Sequence, residues 1–403
     1  MKYISESQLI PVTGVYDVIV AGGGIAGVSA AVAASRLGQK VLLLEKSVIL
    51  GGLATSGLIN WYEPLCDGCG HQVSYGIAEE LLRLSIQIGS HDLHDQWQKH
   101  KTPIDPEAKR YATHFSPTLF SLALDEWLEK EKVDIRLDIQ ACRPLMEGNR
   151  CSGIITESKS GREYFSAGMV IDATGDADLL FRAGLPCRTG VNYLTYVAHV
   201  TNHEQISAFI QDGSWLHLHR WNLVGANAVG KGHPEGMRTF TGTTNEDVTE
   251  FILTGRKLLY QKIKQLPVEE QEILALPGMA QFRMTRCLVG QHVLTEADAC
   301  MRHENSIGVI GDFLRRGPWY EIPYTCLYHP NCDNLLTAGR TVSADGHGWQ
   351  VARVIPSAAV TGQAAGTAAA LALKQNCSLD RLPVSDLQKA LCAAGAKCHA
   401  VSH

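Results

Sequence analysis

The first 45 residues switch from an apolar run to a run of small residues and back to an apolar run. Residues 18–20 are consecutive β-branched residues, which predicts a parallel strand covered on both faces. The alanine-rich sequence from 25 to 37 predicts a helix, and Gly38 is expected to end it. Residues 41–44 predict a second buried strand. The pattern therefore predicts a βαβ unit at the start of the chain.

Further along, apolar residues spaced three to four apart predict helices, and apolar runs or alternation predict strands. Helices are predicted at 76–88, 117–132, 245–266 and from 356 onward, and strands at 133–137, 150–165 (a hairpin), 167–175, 193–200 and 334–340. The polar, His-rich stretch 90–113 is expected to be a surface excursion, and no second βαβ unit occurs between 188 and 320. These patterns predict an α/β fold: a Rossmann-like domain with a parallel central sheet (1–187 and 321–403) and an inserted α+β substrate or cap domain (188–320).

The turn between the first strand and helix has the spacing G-x-G-x-x-G. Gly22 permits the tight turn, Gly24 lets a pyrophosphate approach the backbone, and Gly27 lets the helix pack close to the sheet. Glu45 ends the second strand, where an acidic residue accepts ribose hydroxyls. The motif predicts a dinucleotide without separating FAD from NAD, and the alternative is a βαβ unit that binds no nucleotide.

Three separate segments, 18–27, 170–176 and 335–340, share an apolar strand followed by small residues and a polar side chain. Carboxyl ends of parallel strands meet at one crevice, so these segments would hold one long ligand, which favours FAD over NAD. Residues 353–370 predict a helix beginning near Pro356, whose N–H groups would stabilise a reduced flavin. The alternative is a closely packed core helix.

Taken together, these motifs resemble the glutathione-reductase-type FAD oxidoreductases and, more narrowly, the FAD-dependent oxidoreductase family of bacterial flavoproteins. The resemblance runs almost end to end. It is carried by Gly22–Gly27 with Glu45, Gly51–Gly57, Cys66–Gly76, Ala173–Asp176, Arg283–Arg286, Glu321–Tyr324, Asn334–Arg340 and Arg353–Gly366.

The resemblance implies that FAD is the cofactor, and it implies a set of binding residues. By that likeness residues 1–187 and 321–403 form the FAD-binding domain. Gly22, Gly24 and Gly27 would hold the pyrophosphate and Glu45 the adenosine ribose, with Ile25, Ala26 and Lys46 as further cofactor-binding residues. Gly52 and Ala54 would lie near the flavin side of the pyrophosphate, and Ala141 near the adenine. Thr174, Gly175 and Asp176 would form a second phosphate-side loop, Gly339 and Arg340 would approach the ribityl chain, and Gly362, Gln363 and Ala364 would line the isoalloxazine. No second G-x-G-x-x-G follows a strand, which argues against a built-in NAD(P)H domain. Electrons would then pass to or from the substrate, a diffusible NAD(P)H or another protein.

Basic side chains near these segments are candidates for catalysis. Arg283, Arg286 and Arg353 could bind a carboxylate or a developing enolate, or could form structural ion pairs. His347, between two glycines, could act as a general acid or base, or could be a surface histidine.

Cys66 and Cys69 form a C-x-x-C pair with His71 nearby. A redox dithiol and a metal site are both open, but the pair supplies few ligands and no partner pair is evident. The favoured interpretation is a loop lining the flavin crevice, with no metal bound.

Composition limits the remaining function classes. The chain has 403 residues, a net charge of −5 and 12 irregularly spaced cysteines, which gives no case for nucleic acid, a membrane or a disulfide scaffold. No signal-type segment is seen, so a cytoplasmic location is expected. The resemblance implies a bacterial protein, and a homo-oligomer stays open. The predicted reaction is hydride transfer between flavin N5 and a small organic substrate, with a carboxylate-bearing substrate as one option. A flavin–dithiol oxidoreductase and a non-catalytic electron-transfer subunit are the alternatives.

Overall fold

A computed structural model describes residues 4–98, 110–227 and 230–400, so part of the predicted 90–113 surface excursion lies outside the described residues. The strands are β1 Val12–Ala21, β2 Val41–Leu44, β3 Trp61–Tyr62, β4 Thr113–His114, β5 Asp134–Arg136, β6 Gln140–Glu147, β7 Arg150–Ser158, β8 Gly161–Asp172, β9 Cys187–Thr189, β10 Thr195–Thr201, β11 Arg220–Gly225, β12 Glu272–Ala275, β13 Arg286–Leu288, β14 Ser306–Gly311, β15 Trp319–Pro323 and β16 Leu335–Thr337. The helices are α1 Ile25–Arg36, α2 Ile77–Ser85, α3 Asp95–Gln98, α4 Pro117–Lys130, α5 Asp178–Arg182, α6 His203–Asp212, α7 Asn245–Ile263, α8 Gly346–Ala352, α9 Ile355–Gln375 and α10 Val384–Ala393.

The central sheet has the strand order β5-β2-β1-β8-β7-β6. Strands β5, β2, β1 and β8 are mutually parallel, and β16 joins them by pairing with the last residues of β8. Strands β7 and β6 continue the sheet as an antiparallel meander from the first half of β8. The end of β1, Val18–Ala21, is fully buried, as a strand covered on both faces must be. The predicted Rossmann-like α/β fold with a parallel central sheet is confirmed.

Helices α1 and α9 pack side by side on this sheet because both are built from small residues. A Cβ on Gly362 would lie 2.3 Å from the carbonyl oxygen of Ala26, and one on Gly366 would lie 2.1 Å from that of Ala30. Only glycine permits this backbone-to-backbone approach. The close contact holds the first residues of both helices at the same end of the sheet.

Strands β9 and β13 pair with each other. The chain between these two strands forms a second, antiparallel sheet with the order β11-β10-β12. It packs against α7 through the buried side chains of Tyr196 and Leu259. The β14–β15 hairpin packs instead on α9, where Gly308 leaves room for Val360. The domain boundaries at 187 and 320 stay a prediction. Within the described residues, no helix is both long enough and apolar enough to cross a lipid bilayer.

Candidate cofactor and substrate site

A cavity of about 300 Å³ opens where the parallel strands end. Its walls come from the β1–α1 turn, the end of β2, the loop 51–56, the β8–α5 loop, residues 338–340 and the start of α9, with Gly278 and Met279 on the side of the inserted sheet. Of the 18 predicted cofactor residues, 12 line it: Gly22, Gly24, Ile25, Ala26, Glu45, Lys46, Gly52, Ala54, Thr174, Gly175, Gly339 and Arg340. Four strand ends (β1, β2, β8 and β16) and two helix N-termini (α1 and α9) therefore meet at one cavity.

Two glycine segments form the floor of the cavity. Gly22 has a φ of +105°, and a Cβ there would lie 2.3 Å from the carbonyl oxygen of Ala173. Gly24 precedes α1 and pairs with Gly51, and a Cβ on Gly52 would lie 3.1 Å from the Cα of Gly24. No side chain caps the first turn of α1, so its N–H groups are available to a negatively charged ligand.

Glu45 fixes the glycine turn from the end of β2. Its carboxylate is buried, Oε2 accepts a hydrogen bond from the Gly23 N–H (2.6 Å), and Oε1 accepts one from the Ser47 N–H (2.8 Å). A carboxylate oxygen can accept more than one hydrogen bond. Glu45 can therefore hold the turn and still accept a hydroxyl of a sugar in the cavity.

Arg340 supplies a fixed cation on the opposite wall. Its Nη2 donates to Asp176 Oδ1 at 3.0 Å, and Gly175, with a φ of +78°, leaves room beneath the guanidinium. Nε of Arg340 is buried and has no hydrogen-bond partner among the described residues. Because an unpaired buried donor is costly, this atom suits an acceptor oxygen of a bound ligand.

Glu63, Arg283 and Arg353 form a charged cluster where α9 begins. Glu63 Oε2 accepts a hydrogen bond from the Ile355 N–H (3.2 Å), and burial raises the pKa of Glu63 to about 7. Burial, and then the positive charge of Arg283, lower the pKa of Arg353 to about 9. The positive charges of Arg353 and Arg283 favour the ionised form of Glu63, but both guanidiniums make their hydrogen bonds elsewhere. Arg283 Nη1 donates to the carbonyl oxygen of Asn227 (3.0 Å), and Arg353 Nε donates to Gln350 Oε1 (2.8 Å). Arg353 lines the cavity.

The family of the chain follows from a comparison with family models. The model described as "FAD dependent oxidoreductase" matches residues 17–216 and 220–391, which is most of the chain. The chain belongs to the FAD-dependent oxidoreductase family. It is therefore an enzyme with FAD as its cofactor, and the glycine floor, the open N-terminus of α1, Glu45 and the unpaired Nε of Arg340 fit that cofactor.

Individual proteins similar to this FAD-dependent oxidoreductase are distant or match over short segments. A thioredoxin reductase of Ureaplasma parvum is 34% identical over 74 residues, which span 18% of this chain and 24% of that protein. A p-nitrophenol 4-monooxygenase of Pseudomonas putida is similar at 15% identity and a TM-score of 0.49, covering 94% of this chain and 88% of the other. A geranylgeranyl bacteriochlorophyll reductase-like protein of Thermoplasma acidophilum is similar at 15% identity and a TM-score of 0.47, with 93% and 83% covered.

Two of the predicted catalytic residues lie away from the FAD cavity. Arg286 pairs with Asp178 (Nη1 to Oδ1, 3.1 Å), donates to the carbonyl oxygens of Asp176 and Thr243, and stacks on Phe181. These contacts occupy the guanidinium in a structural role.

His347 points its Nε2 at Asp312 Oδ2, 2.7 Å away. It lines a separate surface cavity that also contains Tyr193 and Gln350. Of the three arginines and the histidine singled out from the sequence, only Arg353 lines the FAD cavity itself.

Six predicted cofactor residues also fall outside the cavity lining: Gly27, Ala141, Asp176, Gly362, Gln363 and Ala364. The last three were expected at the N-terminus of α9, but the helix begins at Ile355, so they lie two turns further on. There Gly362 contacts α1, Gln363 Oε1 accepts from the Ile77 N–H (3.0 Å), and Ala364 is fully buried. The cavity is lined instead by Arg353, Ile355 and Ala358, which lie just before and within the first turn of α9.

The other three support the cavity from behind. A Cβ on Gly27 would lie 1.8 Å from the carbonyl oxygen of Gly22, so this glycine serves helix–turn packing. Ala141 lies in β6, where its carbonyl oxygen accepts from Arg182 (3.2 Å). Asp176 accepts from the hydroxyl of Thr285 (2.9 Å) as well as from Arg340.

The loop with Cys66 and Cys69 is organised around Asp67. Asp67 Oδ1 accepts from the Cys69 N–H (2.7 Å), and Oδ2 lies 2.9 Å from Nδ1 of His71. Cys66 is buried, its Sγ accepts from the Tyr111 N–H (3.1 Å), and burial raises its pKa. A reactive dithiol needs a lowered thiol pKa, so the raised pKa of the buried Cys66 disfavours a redox role, although the Tyr111 N–H acts in the opposite direction.

Sequence reasoning missed Glu63, which belongs to no motif. One signal was available, because Glu63 is the single charged residue in the apolar and aromatic stretch Leu58–Leu65. A lone charge in such a stretch is either exposed or buried for a purpose. Here it is buried beside two arginines.

Proposed function

We propose that this FAD-dependent oxidoreductase exchanges a hydride with a small organic substrate that carries a carboxylate. The observation that carries the proposal is the presence of two positive charges, Arg283 and Arg353, near the one buried carboxylate of Glu63, with Arg353 lining the FAD cavity. Burial, and then the positive charge of Arg283, depress the pKa of Arg353, so a second anion beside it would stabilise its charged form. A substrate carboxylate would supply that anion.

Each residue of the cluster has a distinct task in this proposal. FAD, when bound, supplies flavin N5 as the atom that accepts or releases hydride. Arg353 and Arg283 hold the substrate carboxylate, since guanidinium groups bind carboxylates with a fixed orientation. Glu63 takes up or releases the proton that accompanies hydride transfer, because a pKa of about 7 suits both directions at neutral pH.

Residues that follow the inserted sheet would form the rest of the substrate site. Gly278 and Met279 border the cavity, and the Gly278 N–H donates to the carbonyl oxygen of Ser56 at 2.8 Å. This contact closes the substrate side against the loop 51–57. We expect the electrons to come from or go to the substrate, with a diffusible NAD(P)H or a partner protein completing the cycle.

The flavin–dithiol alternative rests on Cys66 and Cys69 and on the short similarity to a thioredoxin reductase. If Cys66→Ser and Cys69→Ser together abolish reoxidation of the reduced enzyme, that alternative replaces the hydride proposal. We expect no effect, because the Cys66 thiol is buried with a raised pKa.

Kinetics of single variants test the division of tasks, once a screen for anaerobic flavin bleaching has found a substrate. Arg283→Gln should raise KM more than it lowers kcat, because Arg283 binds the substrate without bordering the cofactor cavity. Glu63→Gln should lower kcat and remove the ionisation near pH 7 from its pH profile. Arg143→Gln, at an exposed arginine, is the matched control. Unchanged kinetics in both variants would contradict the proposal.

A further inference from the structure

We infer that His292, Asp298 and His303 bind one divalent transition-metal ion at a site separate from the FAD cavity. The three side chains come from the segment between β13 and β14. One ligand atom of each lies within 4.8 Å of the others. Two imidazoles and a carboxylate form a ligand set that suits first-row divalent ions such as Zn²⁺ better than Mg²⁺ or Ca²⁺.

The distances converge on a single carboxylate oxygen. Nε2 of His292 lies 2.9 Å from Asp298 Oδ1, and Nε2 of His303 lies 3.0 Å from the same oxygen. Two ligand atoms bound to one ion at about 2.1 Å stand about 3.0 Å apart at a right angle and about 3.4 Å apart at a tetrahedral angle. Both distances from imidazole to carboxylate are therefore close to the spacing that a metal ion imposes, and the ligand nitrogens of the two imidazoles lie within 4.8 Å of each other.

His303 lacks the hydrogen bond that would explain its position without a metal. Its Nε2 is buried and has no hydrogen-bond partner among the described residues, although Asp298 Oδ1 is 3.0 Å away. The two atoms are close, but the His303 nitrogen is not aligned with the oxygen as a hydrogen bond requires. Two ligand atoms of one metal ion have this arrangement, because each points at the ion and not at the other ligand.

Asp298 Oδ1 makes a hydrogen bond with His292 Nε2 (2.9 Å), and an ion bound between the two atoms would replace that hydrogen bond. Asp298 Oδ2 accepts from the N–H (2.7 Å) and the hydroxyl (3.1 Å) of Thr295, which caps the short turn Glu296–Asp298. These two hydrogen bonds from Thr295 fix the carboxylate, as the outer partners of metal ligands commonly do. The side chain of His292 is 32% exposed, which gives an ion a path from solvent.

The site would tie its loop to the FAD domain. The Leu294 N–H donates to the carbonyl oxygen of Ser343 (3.0 Å), and the Asp345 N–H donates to that of Leu294 (2.9 Å). Gly348 of α8 packs on the same carbonyl of Leu294, and Arg353 follows the C-terminal end of α8. A bound ion would thus stiffen the loop on which the helix that leads to Arg353 rests.

Zinc retention by the purified holoenzyme tests the inference. Tag-free protein is stripped with EDTA, loaded with Zn²⁺, passed through gel filtration and analysed for zinc per protein. We expect the wild type to retain one equivalent more than His292→Ala or His303→Ala. His114→Ala is the control, because His114 also contacts a carboxylate, Asp92 at 2.8 Å, and lies outside the site.

Zinc bound by exposed thiols such as Cys300 adds equally to all variants, so the difference between variants is the readout. Equal zinc in the wild type and His303→Ala would overturn the inference. X-ray absorption at the zinc edge of the wild type gives a second test that needs no variant. At one equivalent of bound zinc we expect imidazole and oxygen neighbours, and a spectrum with sulfur neighbours alone would overturn the inference.

Discussion

Replacing Glu63 with glutamine should remove a pH-dependent loss of stability from the cofactor-free protein. Burial raises the pKa of Glu63 from 4.5 to about 7. Between these values the folded protein keeps the proton while the unfolded chain has released it, so stability falls as the pH rises. A difference of 2.5 pKa units at about 1.4 kcal/mol per unit amounts to about 3 kcal/mol. This penalty is absent below pH 4.5 and fully present above pH 7.

Urea unfolding at pH 5 and pH 8 measures the effect. The stability of Glu63→Gln relative to the wild type should increase by about 2 to 3 kcal/mol between these pH values, because glutamine does not titrate. Glu80→Gln is the control. Although burial opposes it, hydrogen bonding to Arg36 lowers the pKa of Glu80, so Glu80 is ionised throughout this range. A Glu63→Gln difference that is the same at both pH values would refute the assignment of Glu63 as a buried acid with a raised pKa.

Three further substitutions separate the cofactor site from its supports. Arg340→Met should weaken FAD binding at least tenfold in a flavin-release fluorescence assay, because FAD then loses Nε of Arg340 as a hydrogen-bond donor. Unchanged affinity would contradict this role. Gly362→Val should destabilise the protein by about 1 to 3 kcal/mol in thermal unfolding, since its Cβ would meet the Ala26 carbonyl. His347→Ala should leave the rate of flavin reduction unchanged, and a large loss would return His347 to the catalytic residues.

The sequence was sufficient to predict where the cofactor cavity forms. The glycine turn, Glu45, and the strand ends at Gly175 and Gly339 each carry a local pattern, and parallel topology then brings them together. The start of α9 was predicted near Pro356 and lies at Ile355. These features depend on contacts within a few residues, which a sequence records directly.

Other parts of the site depend on long-range packing and could not be predicted. A helix of alanine and glycine suits both a flavin contact and helix–helix packing, and only the fold shows that Gly362 faces α1. Glu63 reaches the N-terminus of α9 across 292 residues of sequence. His292, Asp298 and His303 have no metal-site spacing in sequence and meet only because their loop folds back.

The most direct test of the proposed function compares flavin reduction by a carboxylate with reduction by its amide. The wild-type holoenzyme is mixed anaerobically with a small organic acid that bleaches the flavin, and then with the corresponding neutral amide. We predict that the amide reduces the flavin at least a hundredfold more slowly, because Arg283 and Arg353 then lack their anionic partner, in line with about 3 kcal/mol for a buried charged pair. Equal rates for the acid and its amide would contradict the proposed function.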